Sequence, residues 1–265
     1  MKIVIFTSFQ PHNIYVVNRI THNFQVLCRV IEDPSLRVMT RKENWARWRK
    51  INERYGIIKT LNRYLYLRYY RKFRKAQDEA DKIDILFPGK QSIQYESDIP
   101  TIKAPSINDD SVYDYVKSIK PDIICVCGTS VIKPHIFSLA KIGAINIHVG
   151  ITPEYRCAKP IEWALFNKDF ENVGVTVHFI DEDVDTGEII YQETIPVERG
   201  DSIGKIYAKC KIRGAEMMLS ALEQIRKEGR IDSWRKQGVP GRKYISHEFG
   251  LTHYLNMMYN LRHQR

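Results

Sequence analysis

Three polar residues in the second half of the sequence are of types that donate hydrogen bonds and move protons in active sites. Asn146 and His148 close the apolar run GAINIH, and Asp185 precedes Thr-Gly in a later loop. Ligands of a doubly wound sheet bind at the carboxyl ends of its strands, where this run would place Asn146 and His148. The pattern N-x-H is weak by itself, because Asn and His at a strand end more often bond to loop backbone than catalyse a reaction.

The elements that must position these residues alternate between strands and helices. Apolar runs at Met1–Thr7 and Gln25–Ile31 predict two buried strands, and Ile14–Ile20 predicts a helix between them. This βαβ order is what a parallel sheet with right-handed crossovers requires. We therefore predict an α/β fold with a doubly wound, mostly parallel sheet.

Further elements continue the alternation. The uninterrupted apolar run IICVCG, closed by Gly128, predicts a buried parallel strand, and GVTVHFI and EIIYQETIPV predict two more strands by their period of two. Asp201 and Ser202 are expected to cap a long helix that reaches about Lys227. The remaining predictions are strands at Ile83–Phe87 and Gly143–His148 and helices at Asp109–Lys120 and Ile132–Lys141.

The net charge of +10 is concentrated in two segments of the 265 residues. Residues 41–80 hold 13 Lys and Arg against 4 Asp and Glu, and residues 230–265 hold 7 against 2, so the rest of the chain is acidic. Trp45, Trp48, Ile51 and further apolar residues recur at steps of three and four, which predicts a basic, amphipathic helical insert with solvated cations. Contact of the insert with RNA or DNA, with an anionic substrate or with a membrane surface is the alternative.

Composition argues against several classes of protein. With 43% apolar and 27% charged residues the chain can bury a sizeable core, unlike a disordered protein. No apolar run approaches the roughly 20 residues of a membrane span, and the N-terminus lacks signal-peptide features, so we expect a cytoplasmic protein. Five cysteines without CxxC spacing disfavour a disulfide framework and a zinc ribbon. Cys125 and Cys127 share one side of a strand without further ligands, so we predict no metal site.

Residues 143–187 carry a set of motifs with a recognisable order, GAINIHVGITPEYRCAKPIEWALFNKDFENVGVTVHFIDEDVDTG. N-x-H, a Pro five residues after His148, GVTVH and D-x-G closely resemble the catalytic core of the folate-dependent formyltransferase family. That family includes glycinamide ribonucleotide transformylase, methionyl-tRNA formyltransferase and the sugar N-formyltransferases, which this sequence resembles most. The resemblance covers roughly residues 115–228. It implies a Rossmann-like catalytic domain over residues 1–228, with the basic helical insert at about 41–80, and a short C-terminal extension over residues 229–265.

The resemblance implies that Asn146, His148 and Asp185 catalyse formyl transfer from 10-formyltetrahydrofolate to a primary amine, without a metal. Attack on the formyl carbon makes a tetrahedral oxyanion, to which Asn146 and a protonated His148 can donate hydrogen bonds. Asp185 would hold His148 or an ordered water and help to pass the proton to the folate nitrogen. His178 is expected to be structural. The folate pocket of the family corresponds here to Gly128, Val131, Ile132, Ile180, Asp181 and Val184.

Departures from the family's subgroups bear on the acceptor. The glycinamide ribonucleotide enzymes cradle a phosphate with a Gly-Ser-Gly-type loop after the first strand, whereas residues 7–13 here contain no glycine. The transfer-RNA enzymes have a C-terminal β-barrel domain, whereas only about 37 residues follow the long helix here. The family's usual Gly after its Pro-x-x-Arg segment is Cys157. We therefore expect a small-molecule acceptor, a nucleotide-linked amino sugar whose pyrophosphate pairs with Lys or Arg.

Other functions stay open at this point. The acceptor could be glycinamide ribonucleotide, another amine, or water, which would make the protein a formyltetrahydrofolate hydrolase. A nucleic-acid binding protein with an inactive core is the alternative from a different class, although nucleic acid is the less favoured partner. A homodimer is a further hypothesis, based on a helical stripe in the C-terminal extension that consists of Leu251, Tyr254, Leu255, Met258 and Leu261.

Overall fold

A β-sheet flanked by helices on both faces forms the centre of the fold, in a computed structural model that describes residues 1–37, 39–89, 93–239 and 244–264. Within these residues the sheet has seven strands in the order β3-β2-β1-β4-β5-β6-β7. The strands are β1 (Ile3–Ser8), β2 (Val26–Glu32), β3 (Thr101–Ala104), β4 (Ile123–Cys127), β5 (Gly143–His148), β6 (Gly174–Phe179) and β7 (Ile189–Thr194). The first five are parallel, and β6 and β7 are antiparallel to their neighbours. The predicted doubly wound, mostly parallel α/β sheet is confirmed.

The helices cover both faces of this sheet. They are α1 (Pro11–Asn23), α2 (Arg41–Tyr55), α3 (Ile57–Phe73), α4 (Lys75–Leu86), α5 (Asp110–Ile119), α6 (Pro134–Phe137), α7 (Pro160–Phe166), α8 (Ile203–Glu228) and α9 (Leu251–Arg262). On one face, α1, α7, α8 and α9 bury the larger apolar core, and on the other α5 and α6 bury a smaller one. Alternate residues of the strands supply the two cores, since successive side chains point to opposite faces.

The long helix α8 begins and ends as predicted. The Ser202 hydroxyl accepts a hydrogen bond from the Lys205 backbone N–H at 3.1 Å, which satisfies one of the unpaired donors of the first turn. Gly229 follows the helix with a φ of 75°, a left-handed conformation that favours glycine. The first predicted βαβ unit is likewise confirmed by β1, α1 and β2.

Several elements differ from the prediction. The strand predicted at Ile83–Phe87 is wrong, because these residues end α4, whose buried positions Asp78, Lys82 and Leu86 recur every four residues. The helix predicted at Ile132–Lys141 is reduced to the four residues of α6, which begins at Pro134. The short edge strand β3 was not predicted.

The basic insert is helical, as predicted, but it contributes little to the core. Among the described residues α2 buries none of its side chains, and α3 fully buries only Tyr66. Gly56 separates the two helices with a φ of 80°. The apolar stripe that includes Trp45 and Trp48 therefore faces outward.

The C-terminal stripe packs within its own chain. Tyr254 and Leu261 on α9 are buried, and the Asn260 amide donates to the backbone carbonyls of Leu165 and Phe166 at 3.0 and 2.9 Å. Most of the stripe therefore packs against the core of its own chain, and a homodimer stays a prediction. The division of the chain at residue 228 also stays a prediction. In the described parts of the chain, no helix combines the length and the apolar character that crossing a membrane requires.

Candidate active site

A cleft of about 450 Å³ opens between the loops that follow β4, β5 and β6. It is lined by all nine residues that the sequence analysis assigned to catalysis or folate binding. They are Asn146, His148, Asp185, Gly128, Val131, Ile132, Ile180, Asp181 and Val184. The structure thus brings together in one place residues that lie up to 57 positions apart in the sequence.

Strand β5 and the β6–β7 loop position the three predicted catalytic side chains. Asn146 and His148 lie two residues apart on β5 and so project from the same face of the sheet. The β6–β7 loop folds over this face and brings Asp185 Oδ2 to 3.3 Å from His148 Nδ1. The other ring nitrogen of His148, Nε2, donates to the Tyr155 carbonyl at 2.8 Å, so both edges of the buried ring contact oxygen.

His178 joins the three predicted residues. It is the register partner of Asn146 on the antiparallel strand β6. Its Nε2 lies 3.3 Å from the Asn146 amide nitrogen and 3.5 Å from Asp185 Oδ1, while its Nδ1 donates to the Phe179 carbonyl at 2.7 Å. The sequence motif GVTVH contains this histidine, but only the strand register places it opposite Asn146.

Burial and neighbouring charge set the protonation of the site. Burial is the largest effect on His148 and lowers the pKa of its ring, while the Asp185 carboxylate opposes this effect. Burial alone would raise the pKa of Asp185, but His148 and His178 together hold that pKa below its usual value. At neutral pH, a neutral His148 therefore lies beside an ionised Asp185. With its one proton on Nε2, the ring presents an unprotonated Nδ1 to the Asp185 carboxylate.

A tight turn presents Asp185 to the histidines. Its φ is 55°, in the left-handed region, which costs a residue with a Cβ about 1 kcal/mol. Gln237 stabilises the turn, because its side-chain amide donates to the backbone carbonyls of Asp185 and Gly187 at 2.9 and 2.7 Å. The sequence analysis did not identify this residue, which lies beyond the predicted catalytic domain.

The predicted folate half of the cleft has apolar walls. Val131 and Val184 are exposed, while Ile132 is buried and Ile180 is half-buried. Exposed aliphatic side chains within a cleft suit the flat faces of a folate's pterin ring, whose polar edges need hydrogen bonds. Asp181 accepts a hydrogen bond from the Thr186 hydroxyl at 2.5 Å, which braces the loop.

A buried carboxylate holds the loop that follows β4. Glu32, at the end of β2, accepts hydrogen bonds from the Ser130 N–H and hydroxyl, both at 2.6 Å, and from the Ile107 N–H at 3.0 Å. These bonds satisfy the carboxylate and fix the backbone between Gly128 and Val131. Hydrogen bonds thus connect the end of β2 to the loop that carries the residues predicted to bind folate.

A buried lysine is also part of the cleft wall. Lys211 on α8 is 1% exposed, and its ammonium donates to the Asn13 side-chain carbonyl at 3.1 Å. Asn13 in turn donates to Ser8, whose hydroxyl donates to the Gly128 carbonyl. No carboxylate forms an ion pair with Lys211 within the described residues, and burial lowers its pKa to about 8. Within the described residues, this lysine of the cleft wall therefore has the neutral Asn13 amide as its hydrogen-bond partner and no carboxylate.

Glu162 lines the same cleft and belongs to an ion pair. Lys159 contacts Glu162 at 2.6 Å and donates to the Tyr66 hydroxyl at 3.1 Å, which connects α3 to a residue of the cleft wall. Burial raises the pKa of the Cys157 thiol to about 12, which keeps this cysteine protonated and unreactive at neutral pH. Among the residues that the structure describes, no three His, Cys, Asp or Glu side chains converge as metal ligands would.

Comparison with known families gives one match over most of the chain. The sequence model described as "Formyl transferase" matches residues 1–222. A curated methionyl-tRNA formyltransferase from Pelotomaculum thermopropionicum is 32% identical over 154 residues, which are 58% of this chain and 48% of that protein. The chain thus spans about half the length of the curated relatives it matches.

Solved structures with the same fold cover nearly the whole chain. A 4-N formyltransferase from Francisella tularensis matches with a TM-score of 0.58 and 17% identity, over 98% of this chain and 87% of that one. A sugar N-formyltransferase from Shewanella sp. matches with a TM-score of 0.57 and 12% identity, over the same shares of the two chains. At these identities the likeness concerns the fold.

Proposed function

This chain belongs to the formyl transferase family, and from that premise we propose that it transfers a formyl group from 10-formyltetrahydrofolate to the primary amine of a small acceptor. The convergence of Asn146, His148 and Asp185 in one cleft with the six residues expected to bind folate carries the proposal. The bound folate supplies the formyl group, and the residues of this chain orient it and move protons.

Asn146 would stabilise the oxyanion that forms when the amine attacks the formyl carbon. Its amide has two N–H donors, and the contact with His178 uses one of them, which leaves the other for the oxyanion. A donor aimed at developing charge contributes more in the transition state than in the ground state. Loss of one such donor typically lowers kcat on the order of 100-fold or more.

Asp185 and His148 would together carry the proton from the attacking amine to the folate nitrogen. A proton that reaches Nδ1 of the neutral His148 ring makes it a cation that donates both to Asp185 and to the Tyr155 carbonyl. This ion pair exists only after attack has begun, so it lowers the barrier without tightening the ground state. Return of the proton to the folate nitrogen then completes the transfer.

The acceptor half of the cleft supports an amino sugar linked to a nucleotide. The buried Lys211 ammonium lacks a carboxylate partner within the described chain, which favours an acceptor with an anionic group such as a phosphate. Glu162, which lines the same cleft, can accept hydrogen bonds from sugar hydroxyls. The two side chains together suit a ligand that carries both an anionic group and hydroxyls.

The test is formyl transfer by the wild type, followed through the absorbance of released tetrahydrofolate with a panel of amines. Turnover is expected with a nucleotide-linked amino sugar, and His148→Ala is expected to lower it on the order of 100-fold or more. The matched control is His135→Ala, which changes an exposed histidine on α6 and should leave the rate unaltered. Cleavage of the folate without any amine would contradict the proposal and favour hydrolysis, and a fully active His148→Ala would contradict the assigned site.

Methionyl-tRNA is a second candidate acceptor. The curated relatives named methionyl-tRNA formyltransferase, at 32% identity, favour it. The amine panel should therefore include charged initiator tRNA beside the nucleotide sugars. A kcat/KM higher for methionyl-tRNA than for every sugar would make it the acceptor.

A further inference from the structure

Helix α2 is folded without a core of its own. A capping box between Thr40 and Glu43 and an ion pair between Arg49 and Glu53 at 2.7 Å stabilise it locally. None of its 15 residues is buried, and Trp45 remains 60% exposed. Isolated helices of roughly this length are only marginally stable in water, and most helical stability comes from packing one face. The outward face of α2 therefore has the character of a surface that meets a partner.

Helix α3 continues the exposed face of α2, and its opposite face packs against the rest of the protein. Lys59 pairs with Glu248 at 2.8 Å, Arg63 donates to the Phe249 carbonyl at 3.0 Å, and Tyr66 is buried. The aliphatic side chains on the other face of α3 are exposed. Ile58 is 81% exposed and Leu61 is 55% exposed, and Leu65 follows them one turn later. Single exposed apolar residues are ordinary, but a contiguous row of them marks an interaction site.

The same two helices are strongly basic. We refer to residues 41–73 as the arm, and it contains 11 Lys and Arg against 2 Asp and Glu. Arg68 and Lys72 follow Leu61 and Leu65 at helical spacing and are exposed with them. The arm thus presents indole and aliphatic groups together with cations. Helices that lie in the interface of an anionic bilayer have this combination.

We propose that the arm docks this protein onto an anionic lipid bilayer. Trp45 and Trp48 would lie at the headgroup level, the aliphatic row of α3 would enter the acyl boundary, and the cations would pair with lipid phosphates. A second copy of the chain fits this surface poorly, because a symmetric contact would press two arms of like charge together. Nucleic acid would use the cations and aromatic rings, but it would leave Ile58, Leu61 and Leu65 in water.

The test measures binding to vesicles directly and requires no substrate, so it is independent of the proposed function. The full-length protein is sedimented with phosphatidylcholine vesicles that contain or lack phosphatidylglycerol. Binding is expected only with phosphatidylglycerol, and it should weaken as salt is added, since the Debye length falls from about 10 Å at 0.1 M to about 3 Å at 1 M. The fluorescence of Trp45 and Trp48 should shift to the blue on binding, and Trp45→Phe with Trp48→Phe should remove that shift.

Two pairs of substitutions separate the apolar from the ionic contribution. Leu61→Glu with Leu65→Glu should lower vesicle binding more than about tenfold, because two leucines that the bilayer would bury are replaced by charges. Arg68→Gln with Lys72→Gln should lower it about 25-fold, since each cation near an anionic bilayer contributes about a fivefold factor. The matched controls are Val239→Glu and Lys227→Gln, at sites that are 89% and 67% exposed outside the arm, and they should bind as the wild type does.

Several outcomes would overturn the proposal. Equal binding to vesicles with and without phosphatidylglycerol would contradict the role of charge, and absence of binding to both would remove the bilayer as partner. Retention of an RNA duplex in a gel shift, without vesicle binding and sensitive to Arg68→Gln, would make the arm a nucleic-acid surface. A dimer in light scattering that Leu61→Glu dissociates would make it an interface between two copies.

Discussion

Replacing Lys211 by methionine tests whether this buried cation is kept at the expense of stability. In the folded protein its ammonium lies in the wall of the cleft, 1% exposed, with the Asn13 amide as its hydrogen-bond partner. Methionine has an unbranched side chain of similar length and no charge, so it can fill the same space without desolvating an ion. The substitution should therefore make the protein more stable and bind its acceptor less tightly.

The magnitude follows from the pKa of the ammonium. Burial lowers the pKa of Lys211 from the usual 10.5 to about 8, and a tenfold change in an equilibrium corresponds to about 1.4 kcal/mol, so the charged form destabilises the fold by about 3 kcal/mol. Loss of the hydrogen bond to Asn13 removes about 1 kcal/mol of stabilisation. Lys211→Met should therefore raise the free energy of unfolding at pH 7 by about 2 kcal/mol.

The pH dependence has a defined sign. Below about pH 8 the ammonium is charged in both states, and the full destabilisation is present. Between about pH 8 and 10.5 the folded protein binds fewer protons at Lys211 than the unfolded chain does, so wild-type stability rises with pH and approaches that of the variant. Urea unfolding of both proteins at about pH 7 and about pH 10 measures this convergence.

Lys227→Met provides the control, because that side chain is 67% exposed and its replacement should change stability by less than about 0.5 kcal/mol. The kinetic counterpart is a higher KM for an anionic acceptor in Lys211→Met, with the KM for folate unchanged. A variant less stable than the wild type at pH 7, or one whose difference from the wild type stays constant between pH 7 and 10, would refute the argument. Either result would mean that the folded protein solvates or pairs this ammonium.

Three further substitutions test other parts of the site. Asp185→Asn should lower kcat on the order of 100-fold or more in steady-state kinetics, with little change in the KM for folate, because an amide cannot share a proton with His148. In the wild type, burial lowers the pKa of His148, so kcat/KM should not fall as the pH passes below 6.5. Glu32→Gln should destabilise the protein by about 1–3 kcal/mol in urea unfolding and raise the KM for folate, since the amide N–H of glutamine would face the N–H groups that the carboxylate accepts from. An unchanged KM would show that the loop is held by other contacts. Tyr66→Phe removes the hydroxyl bonded to Lys159 and should lower stability by about 1 kcal/mol and alter the KM for the acceptor alone; a changed KM for folate would contradict that placement.

Much of the fold could be predicted because its signals are local. The strands β1 and β4 are continuous apolar runs bounded by turn residues, and the Ser202 cap and Gly229 mark the two ends of α8. The strand predicted at Ile83–Phe87 failed because α4 buries Asp78 and Lys82, so its inward face does not read as apolar. The edge strand β3 is four residues long and lies next to a proline, which left it without a strand signal.

The composition of the site was only partly accessible from the sequence. Asn146, His148 and Asp185 were found through their motifs, and the structure places them together. His178 required the antiparallel register between β5 and β6, and Lys211 required the packing of α8 against α1. Such relations join residues distant in the chain, and neither periodicity nor composition encodes them.

The two hydrogen bonds from Gln237 to the turn at Asp185 join residues that are synthesised about 50 positions apart. On the ribosome, Asn146, His148 and Asp185 leave the exit tunnel before Gln237 does. Until then the left-handed turn lacks the amide that stabilises it. A chain truncated after α8 would lack the same two hydrogen bonds. The turn at Asp185 is therefore expected to gain its full stability only after Gln237 has left the tunnel, although the candidate site has no predicted catalytic residue beyond 185.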